Sequence, residues 1–179
     1  MAISDERVRC AWAETHPLLR DYHDNEYGTH KRDDSSLFEL LSLELFQAGL
    51  SWLTVLKKRD AFRRAFDGFD PAVVAAYGED DRARLLADAG IVRNRLKVDA
   101  TIHNAGVVLE LARRHGSLAA WLAAQGELTR EEWVRLFKRT FRFTGGEITN
   151  EFLMSAGYLP IRHDPGCFRA AEANAGDRA

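Results

Sequence analysis

The chain has 179 residues, of which 46% are hydrophobic and 29% charged, and its formal net charge is -2. This balance is ordinary for a globular protein large enough to bury one sizeable core. No apolar run reaches membrane-spanning length and the polar segment 1–9 does not resemble a signal peptide, so we expect a cytoplasmic protein. Because positive charge is not in excess, binding of nucleic acid would require a local basic patch.

Most of the sequence has apolar residues at three- and four-residue spacing, which predicts helices, and no segment alternates as a strand does. A first helix is predicted from about Asp34 to Gly49, with Asp34, Ser35 or Ser36 as its N-cap. In chain order, further helices are predicted at 52–66, from Asp70-Pro71, and at 80–87, 94–114, 117–124, 129–139 and 148–156. The breaks are predicted at 88–90 and 144–146, and the residues after 168 are predicted to be a frayed tail. We therefore predict an all-α fold.

Two cysteines lie near opposite ends of the chain, and each has histidines close to it in sequence. Cys10 precedes His16 and His23, whereas His163 stands four residues before Cys167 across an Asp-Pro-Gly turn. Two thiolates and two imidazoles make a closed tetrahedral zinc set. Spacing alone does not choose between His16 and His23. Two ordinary thiols, or a disulfide joining the ends, are the alternatives, and a cytoplasmic setting disfavours the disulfide.

A carboxylate close to aromatic residues is the second pattern. Glu44 lies in line with the apolar stripe of the first predicted helix, and Gly49 and Trp52 follow it. A pocket around Glu44 walled by Trp12, Tyr22 and Trp52 would suit a flat cation, because aromatic faces attract positive charge and a carboxylate neutralises it. The alternative, which the residues alone favour, is that the aromatics are ordinary core and that Glu44 pairs with an arginine.

Together these segments closely resemble the DNA-3-methyladenine glycosylase I family of bacterial repair enzymes. The resemblance covers about 9–167 in uninterrupted order. The matching segments are Arg9-Cys10-Ala-Trp12, Tyr22-His23-Asp24-Asn25-Glu26-Tyr27-Gly28, Gln47-Ala48-Gly49-Leu50-Ser51-Trp52 with Thr54-Val55-Leu56-Lys57-Lys58-Arg59, Asp88-Ala89-Gly90-Ile91-Val92-Arg93-Asn94-Arg95, Phe141-Arg142-Phe143, and His163 with Cys167. The Gln-Ala-Gly-Leu-Ser-Trp block, between the two halves of the Cys/His set, is a specific signal.

The resemblance implies a helix-hairpin-helix DNA glycosylase fold, with one domain of two helical lobes at 1–168 and a flexible tail at 169–179. It implies a structural zinc ion that joins the N- and C-terminal segments through Cys10, His23, His163 and Cys167, which removes His16 from the ligand set. It also implies a hydrolase of base excision repair that flips 3-methyladenine out of alkylated double-stranded DNA and cuts its N-glycosidic bond. No lysine stands where Schiff-base chemistry would need one, so we expect a monofunctional enzyme without strand cleavage.

The resemblance further implies the roles of individual residues. Glu44 would be the catalytic residue that hydrogen-bonds the flipped base. The aromatic residues of the base pocket would be Trp12, Tyr22, Trp52 and Tyr27, the last standing where the family usually has tryptophan. Gly49 and Leu50 would fill the gap left in the duplex, whereas Gly90 would approach the phosphate backbone beside Arg93 and Arg95. We expect a monomer, since no heptad pattern appears.

The sequence departs from the family pattern in the segment 144–151. Glu147 and Asn150 stand where relatives have small or apolar residues and a tyrosine, and Leu96 replaces a usual glycine. Glu147 would strengthen attraction to a cation, shift the preferred base, or simply cap the following helix. A glycosylase of shifted lesion specificity, and a protein that binds alkylated DNA without turnover, are therefore the alternative functions. A zinc-stabilised helical domain without a DNA role is disfavoured by the hairpin glycine and its arginines.

Overall fold

The computed structural model describes residues 6–170, and within them the chain forms nine α-helices and no strand. The helices are α1 (Pro17–Asn25), α2 (Asp34–Gln47), α3 (Trp52–Ala65), α4 (Pro71–Ala75), α5 (Glu79–Ala87), α6 (Arg95–His115), α7 (Leu118–Ala123), α8 (Arg130–Thr140) and α9 (Gly146–Ser155). Two short 3-10 turns, Ala11–Thr15 and Asp67–Phe69, complete the regular structure. The predicted all-α fold is confirmed, whereas residues 171–179 of the predicted tail lie outside the described residues.

Short polar side chains begin most of these helices by accepting a hydrogen bond from an exposed backbone amide. Asp33, and not Asp34, Ser35 or Ser36, is the N-cap of α2, and its carboxylate accepts from the amide of Ser36 at 2.8 Å. The carboxylate of Asp34 instead accepts from the amide of Leu118 at 2.8 Å, at the start of α7. Asp34 therefore joins two helices, which local sequence does not reveal.

Helix α1 was not predicted from the sequence. Pro17 occupies its first position, where the missing N–H costs nothing, and the ring Nδ1 of His16 accepts a hydrogen bond from the amide of Leu18 at 3.1 Å. The helix buries Tyr22 and His23 on one side, which places these neighbours close to the core. His16 thus serves as a helix cap.

Helix α2 is the central element, because every residue from 37 to 46 is buried. A helix that is enclosed all round is the expected form of a core helix in a helical protein. It packs against α3, α6, α7 and α9. Its phenylalanines meet an aromatic cluster drawn from the surrounding helices, with members Phe38, Phe46, Phe62, Phe66 and Phe69.

A tight turn, the tip, connects α2 to α3 and consists of residues 48–51. Gly49 has φ +81, a left-handed conformation that favours glycine, and the amide of Leu50 donates to the carbonyl of Gln47 at 2.7 Å. The Leu50 side chain is 40% exposed. The turn therefore presents a leucine at the protein surface, next to the end of α2.

Among residues 6–170, no helix combines the length and the apolar character needed to cross a membrane.

Candidate functional site: an aromatic cavity, a hairpin turn and a Cys/His cluster

A cavity of about 1460 Å³ opens between α1, the tip and α9. The structure brings all the predicted base-pocket and tip residues to its lining. These are Trp12, Tyr22, Tyr27, Glu44, Gly49, Leu50 and Trp52. Residues that are far apart in sequence thus line one cavity. It is concave and mainly apolar, like the cavities that bind small molecules or bases.

Four aromatic rings line one side of the cavity in a continuous series. The ring centroids of Tyr22 and Trp52 are 5.3 Å apart, those of Tyr22 and Tyr27 are 5.8 Å apart, and Trp12 meets Tyr27 edge-on at 5.4 Å. The buried indole Nε1 of Trp52 has no hydrogen-bond partner among residues 6–170. The side chains hold one another in fixed orientations, so a flat ligand would meet a preformed surface.

The two buried carboxylates of α2 have different surroundings. Glu39 accepts hydrogen bonds from Arg59 at 2.7 Å and from Arg63 at 2.9 Å, so its charge is compensated. Glu44 is 3% exposed and forms no ion pair with any described residue. The arginine pairing considered for Glu44 from sequence is therefore made by Glu39.

Burial raises the pKa of Glu44 to about 8, the charge of Glu151 adds to the effect, and a hydrogen bond from Ser155 opposes it. A carboxyl group in this position is mostly protonated near neutral pH while no cation is near it. Tyr22 lies beside it, and its pKa is raised by burial and by the charge of Glu44. The cavity therefore contains an acid group that would ionise readily when a positive charge enters.

One face of α9 forms the opposite wall of the cavity. Glu147, Asn150, Glu151 and Ser155 all line it, Glu147 and Glu151 being exposed and the other two buried. Asn150 donates from Nδ2 to the carbonyl of Gly146 at 2.7 Å, whereas its buried Oδ1 has no partner among residues 6–170. Sequence analysis missed Glu151 and Ser155. Glu147, Glu151 and Ser155 follow one another at four-residue spacing, and this spacing is the signal that would have found them.

The turn between α5 and α6 is built around Gly90. Its amide donates to the carboxylate of Asp88 at 2.7 Å, and a Cβ atom at this position would lie 3.0 Å from the Cβ of Ala61 on α3. A larger residue at this position would therefore be crowded against α3. The amide of Gly90 is already engaged within the turn, so other amides nearby must supply any donors to a phosphate.

Basic side chains surround this turn. Arg93 is exposed, and Arg95 is exposed with only long contacts to Asp99 at 3.7 Å and Glu79 at 4.0 Å. Lys58 of α3 donates to the carbonyl of Gly90 at 3.3 Å. Arg93 and Arg95 are thus accessible to solvent, as a phosphate contact would need.

Four potential metal ligands from the two ends of the described chain lie together. Their donor atoms are all within 4.8 Å of one another, and the residues are Cys10, His23, His163 and Cys167. The Sγ of Cys10 is 3.4 Å from Nδ1 of His163, and the Sγ of Cys167 is 3.4 Å from Nε2 of His23. Both cysteines are buried free thiols, so no disulfide joins them. The group could hold a metal ion.

Neighbouring groups orient these ligands. Nδ1 of His23 is 2.9 Å from the carboxylate of Asp24, which in turn accepts from Nε of Arg9 at 2.9 Å. On the other side, the amide of Ala11 donates to the carboxylate of Asp164 at 2.7 Å, next to His163. A carboxylate behind a histidine ligand fixes the ring and its tautomer, as is common at metal centres.

Three of the distances between the donor atoms fit a tetrahedral ion. Metal–sulfur distances of about 2.3 Å and metal–nitrogen distances of about 2.0 Å place neighbouring ligand atoms roughly 3.3–3.8 Å apart. The sulfur–nitrogen distances of 3.4 Å, 3.4 Å and 3.8 Å fall in this range. A closed set of two thiolates and two imidazoles leaves no position for a reacting molecule.

Comparison with known proteins gives concordant results. A family model described as methyladenine glycosylase matches residues 12–135. DNA-3-methyladenine glycosylase 1 of Escherichia coli (strain K12) is 38% identical over 178 residues, which cover 89% of this chain and 95% of the relative. A crystal structure of a 3-methyladenine DNA glycosylase I covers 90% of this chain and 98% of its own, with a TM-score of 0.81 and 37% identity. The Staphylococcus aureus 3-methyladenine DNA glycosylase I, solved to explain its recognition of 3-methyladenine, has a TM-score of 0.79 and 31% identity, covering 89% of this chain and 95% of its own.

Proposed function

The chain belongs to the methyladenine glycosylase family, and we propose that it is a DNA repair enzyme that hydrolyses the N-glycosidic bond of 3-methyladenine in alkylated double-stranded DNA. The observation that supports this most directly is Glu44, a buried carboxyl group without a cationic partner in a cavity lined by Trp12, Tyr22, Tyr27 and Trp52. Arg130 also lines the cavity but forms no ion pair with Glu44 among the described residues, so a flat positive ligand would compensate this carboxyl group.

A 3-methylated adenine in DNA is a cation, so its bond to the sugar is already weak. Water adds to the sugar carbon C1′, the C1′–N9 bond breaks, the electron pair of that bond goes to the base, and the attacking water gives up a proton. The base leaves neutral, so strong acid assistance is not needed. The protein must extrude the nucleotide and bind it in the geometry of reaction. In this scheme Glu44 accepts a hydrogen bond from an N–H of the base. Tyr22 and Trp52, whose ring centroids are 5.3 Å apart, would offer aromatic surface to the same side of the base.

The same arrangement would discriminate against normal bases. A neutral purine brings no charge to compensate an ionised Glu44, so the carboxyl would either stay protonated or lie buried and unpaired. A site built to pair with a particular group rejects ligands that lack it. The cavity thus favours a cation over a neutral base of similar size.

The tip and the turn around Gly90, between α5 and α6, would bind the DNA. Leu50, exposed beside the cavity, would fill the space left by the flipped nucleotide, with Gly49 allowing the turn. Gly90 would bring the hairpin backbone close to the phosphates, with Arg93 and Arg95 as their cationic partners. No lysine lines the cavity within the described residues, which supports a monofunctional enzyme.

The four-ligand cluster is proposed to hold zinc, because two thiolates and two imidazoles at tetrahedral spacing are the donor set that zinc prefers. Zinc bound there supplies no reacting water. Cys10, His23, His163 and Cys167 would hold the two ends of one glycosylase domain together. The free thiols are consistent with a reducing cytoplasm, and we propose that the protein acts there as a monomer.

The experiment is release of 3-methyladenine from methylated duplex DNA by the purified protein. We expect the wild type to release the base, whereas Glu44→Gln and Trp52→Ala reduce release on the order of 100-fold. Glu131→Gln, an exposed site outside the cavity, is the matched control and should behave as wild type. Borohydride should trap no covalent adduct with DNA.

A specific observation favours one alternative, a shifted substrate or lost turnover, because Glu147 lines the cavity. Wild-type protein that bound methylated duplex without releasing 3-methyladenine would support this alternative and overturn the main proposal. Other damaged bases would then be screened with the same assay.

A further inference from the structure

We propose that one face of α9, formed by Glu151 and Asn150, is a second recognition wall of the base pocket, which strengthens the preference for a purine cation over a neutral base of the same shape. The inference rests on the proposed function and assigns a specificity-determining role to residues outside the aromatic wall. These residues belong to α9 and line the same cavity as Glu44.

The geometry begins with the stripe Glu147, Glu151 and Ser155, which are spaced by four residues and therefore lie on one side of the helix. All three line the cavity, and Ser155 lies close enough to Glu44 to lower the pKa of its carboxyl group. Glu151 is thus one helical turn from the group that contacts Glu44. The stripe leads from the exposed rim of the cavity to its buried carboxyl.

Within residues 6–170, the carboxylate of Glu151 forms no ion pair and no hydrogen bond with another side chain. Burial and the charge of Glu147 raise its pKa, and the charge of Arg130, which also lines the cavity, opposes this rise. The negative charge of Glu151 acts on Glu44, whose pKa is raised by burial and then by Glu151, and on Tyr27 in the same way. Two ionised carboxylates in one cavity repel each other, so a cation placed between them favours the ionised form of both.

Asn150 gives a second and independent indication of a ligand at this wall. Its Nδ2 donates to the carbonyl of Gly146, which accepts only, so the orientation of the amide is fixed and Oδ1 is the atom without a partner. The residue is 5% exposed and lines the cavity. A buried acceptor without a donor is unfavourable, so a ligand that carries N–H groups would satisfy it.

A purine cation has both properties that this wall lacks, a positive charge and N–H donors. A neutral base of the same shape has donors but no charge, and gains nothing from Glu151. The contribution of Glu151 therefore concerns discrimination more than general affinity. Across a partly exposed cavity, one charge of this kind changes the affinity for a cation by about 5- to 10-fold.

The test compares two duplexes, one with 3-methyladenine and one with 3-deaza-3-methyladenine, a neutral base of the same shape. For each variant, kcat/KM for release of 3-methyladenine is divided by the association constant for the neutral duplex. We expect this ratio to fall about 5- to 10-fold in Glu151→Gln and to stay near the wild-type value in Glu151→Asp. Glu127→Gln removes one carboxylate from an exposed position outside the cavity and is the matched control.

This ratio separates the proposal from simpler effects. Removal of any carboxylate near DNA tightens binding to both duplexes, which Glu127→Gln measures, and a folding defect weakens both. A ratio within about twofold of wild type in Glu151→Gln, or an equal fall in Glu127→Gln, would overturn the inference while the wild type still released 3-methyladenine. Failure of the wild type to release the base would instead overturn the proposed function, and this inference with it.

Discussion

The ammonium of Lys97 donates a hydrogen bond of 2.6 Å to the carbonyl oxygen of Ala48, and thereby connects the start of α6 to the tip that follows α2. A second bond of 2.9 Å reaches the carbonyl of Phe46. Lys97 is 6% exposed, and burial lowers its pKa. A charged donor at these last carbonyls of α2 caps the negative end of the helix.

Replacement of Lys97 by methionine is expected to lower the free energy of unfolding by about 2 kcal/mol, because two buried carbonyls lose a charged donor while the volume is kept. Urea unfolding measures this loss, with the exposed Lys57→Met as control. Base release from duplex DNA should fall more than the affinity for free 3-methyladenine, since the tip is needed only for extrusion. Equal stability of the two variants would refute the prediction.

The ionisation of Glu44 should make stability depend on pH. The pKa of this group is raised from 4.5 to about 8, so the folded chain holds the proton more tightly than the unfolded chain does. Its contribution to stability is therefore complete below about pH 4.5 and is lost as the pH rises through about 8. Glu44→Gln, which cannot ionise, should gain on the order of 3 kcal/mol over wild type between about pH 5 and about pH 8.5.

Urea unfolding of wild type and Glu44→Gln at these two pH values measures the gain. The same variant should have lost base release, so stability and activity change in opposite directions. A stability difference that does not vary with pH would show that Glu44 is already ionised in the free protein.

Loss of the proposed metal ion should destabilise the protein. Cys167→Ala deletes one of four ligands, and we expect a loss of about 3 kcal/mol, which corresponds to a fall in Tm of roughly 6–12 °C for a chain of this size. Metal analysis should find one zinc per chain in the wild type and less in the variant. Exposed His115→Asn is the control, and a full metal content in Cys167→Ala would exclude the proposed ligand set.

The close packing of Gly90 on Ala61 can be tested with one substitution and a second that compensates for it. A Cβ atom there would lie 3.0 Å from the Cβ of Ala61, so Gly90→Ala should displace the hairpin turn and cost about 1 kcal/mol, with weaker binding of duplex DNA. The double variant with Ala61→Gly removes one of the two close atoms, the other being Oδ1 of Asp88 at 3.0 Å, and should recover part of the DNA affinity beyond the sum of the single effects. Purely additive effects in fluorescence anisotropy would indicate that the two sites are independent.

The regular spacing of apolar residues predicted most of the helices, because that spacing follows directly from burial of one helix face. Helix α1 escaped prediction because it is short and is fixed by Pro17 and the ring of His16, a cap that residue preferences do not suggest. The N-cap of α2 shifted to Asp33 because Asp34 bonds to a distant helix. Long-range hydrogen bonds of this kind have no signature in local sequence.

In the candidate site, too, some features could be predicted from the sequence and others depend on long-range contacts. The family resemblance indicated the aromatic residues and Glu44, and the structure places them in one cavity. The resemblance did not indicate which of the two buried carboxylates of α2 forms no ion pair with an arginine. Glu39 and Glu44 lie on the same helix and both are buried. That distinction depends on Arg59 and Arg63 of α3, whose positions follow only from the packing of whole helices.

The contact between Cys10 and His163 spans 153 positions of the chain. During protein synthesis Cys10 and His23 leave the ribosome first, and the cluster can be completed only after His163 and Cys167 have also emerged. A product that stops before His163 retains only Cys10 and His23 as ligands, too few for a closed site. Capture of a metal ion at the proposed site would therefore distinguish a chain that extends past Cys167 from one that stops before His163.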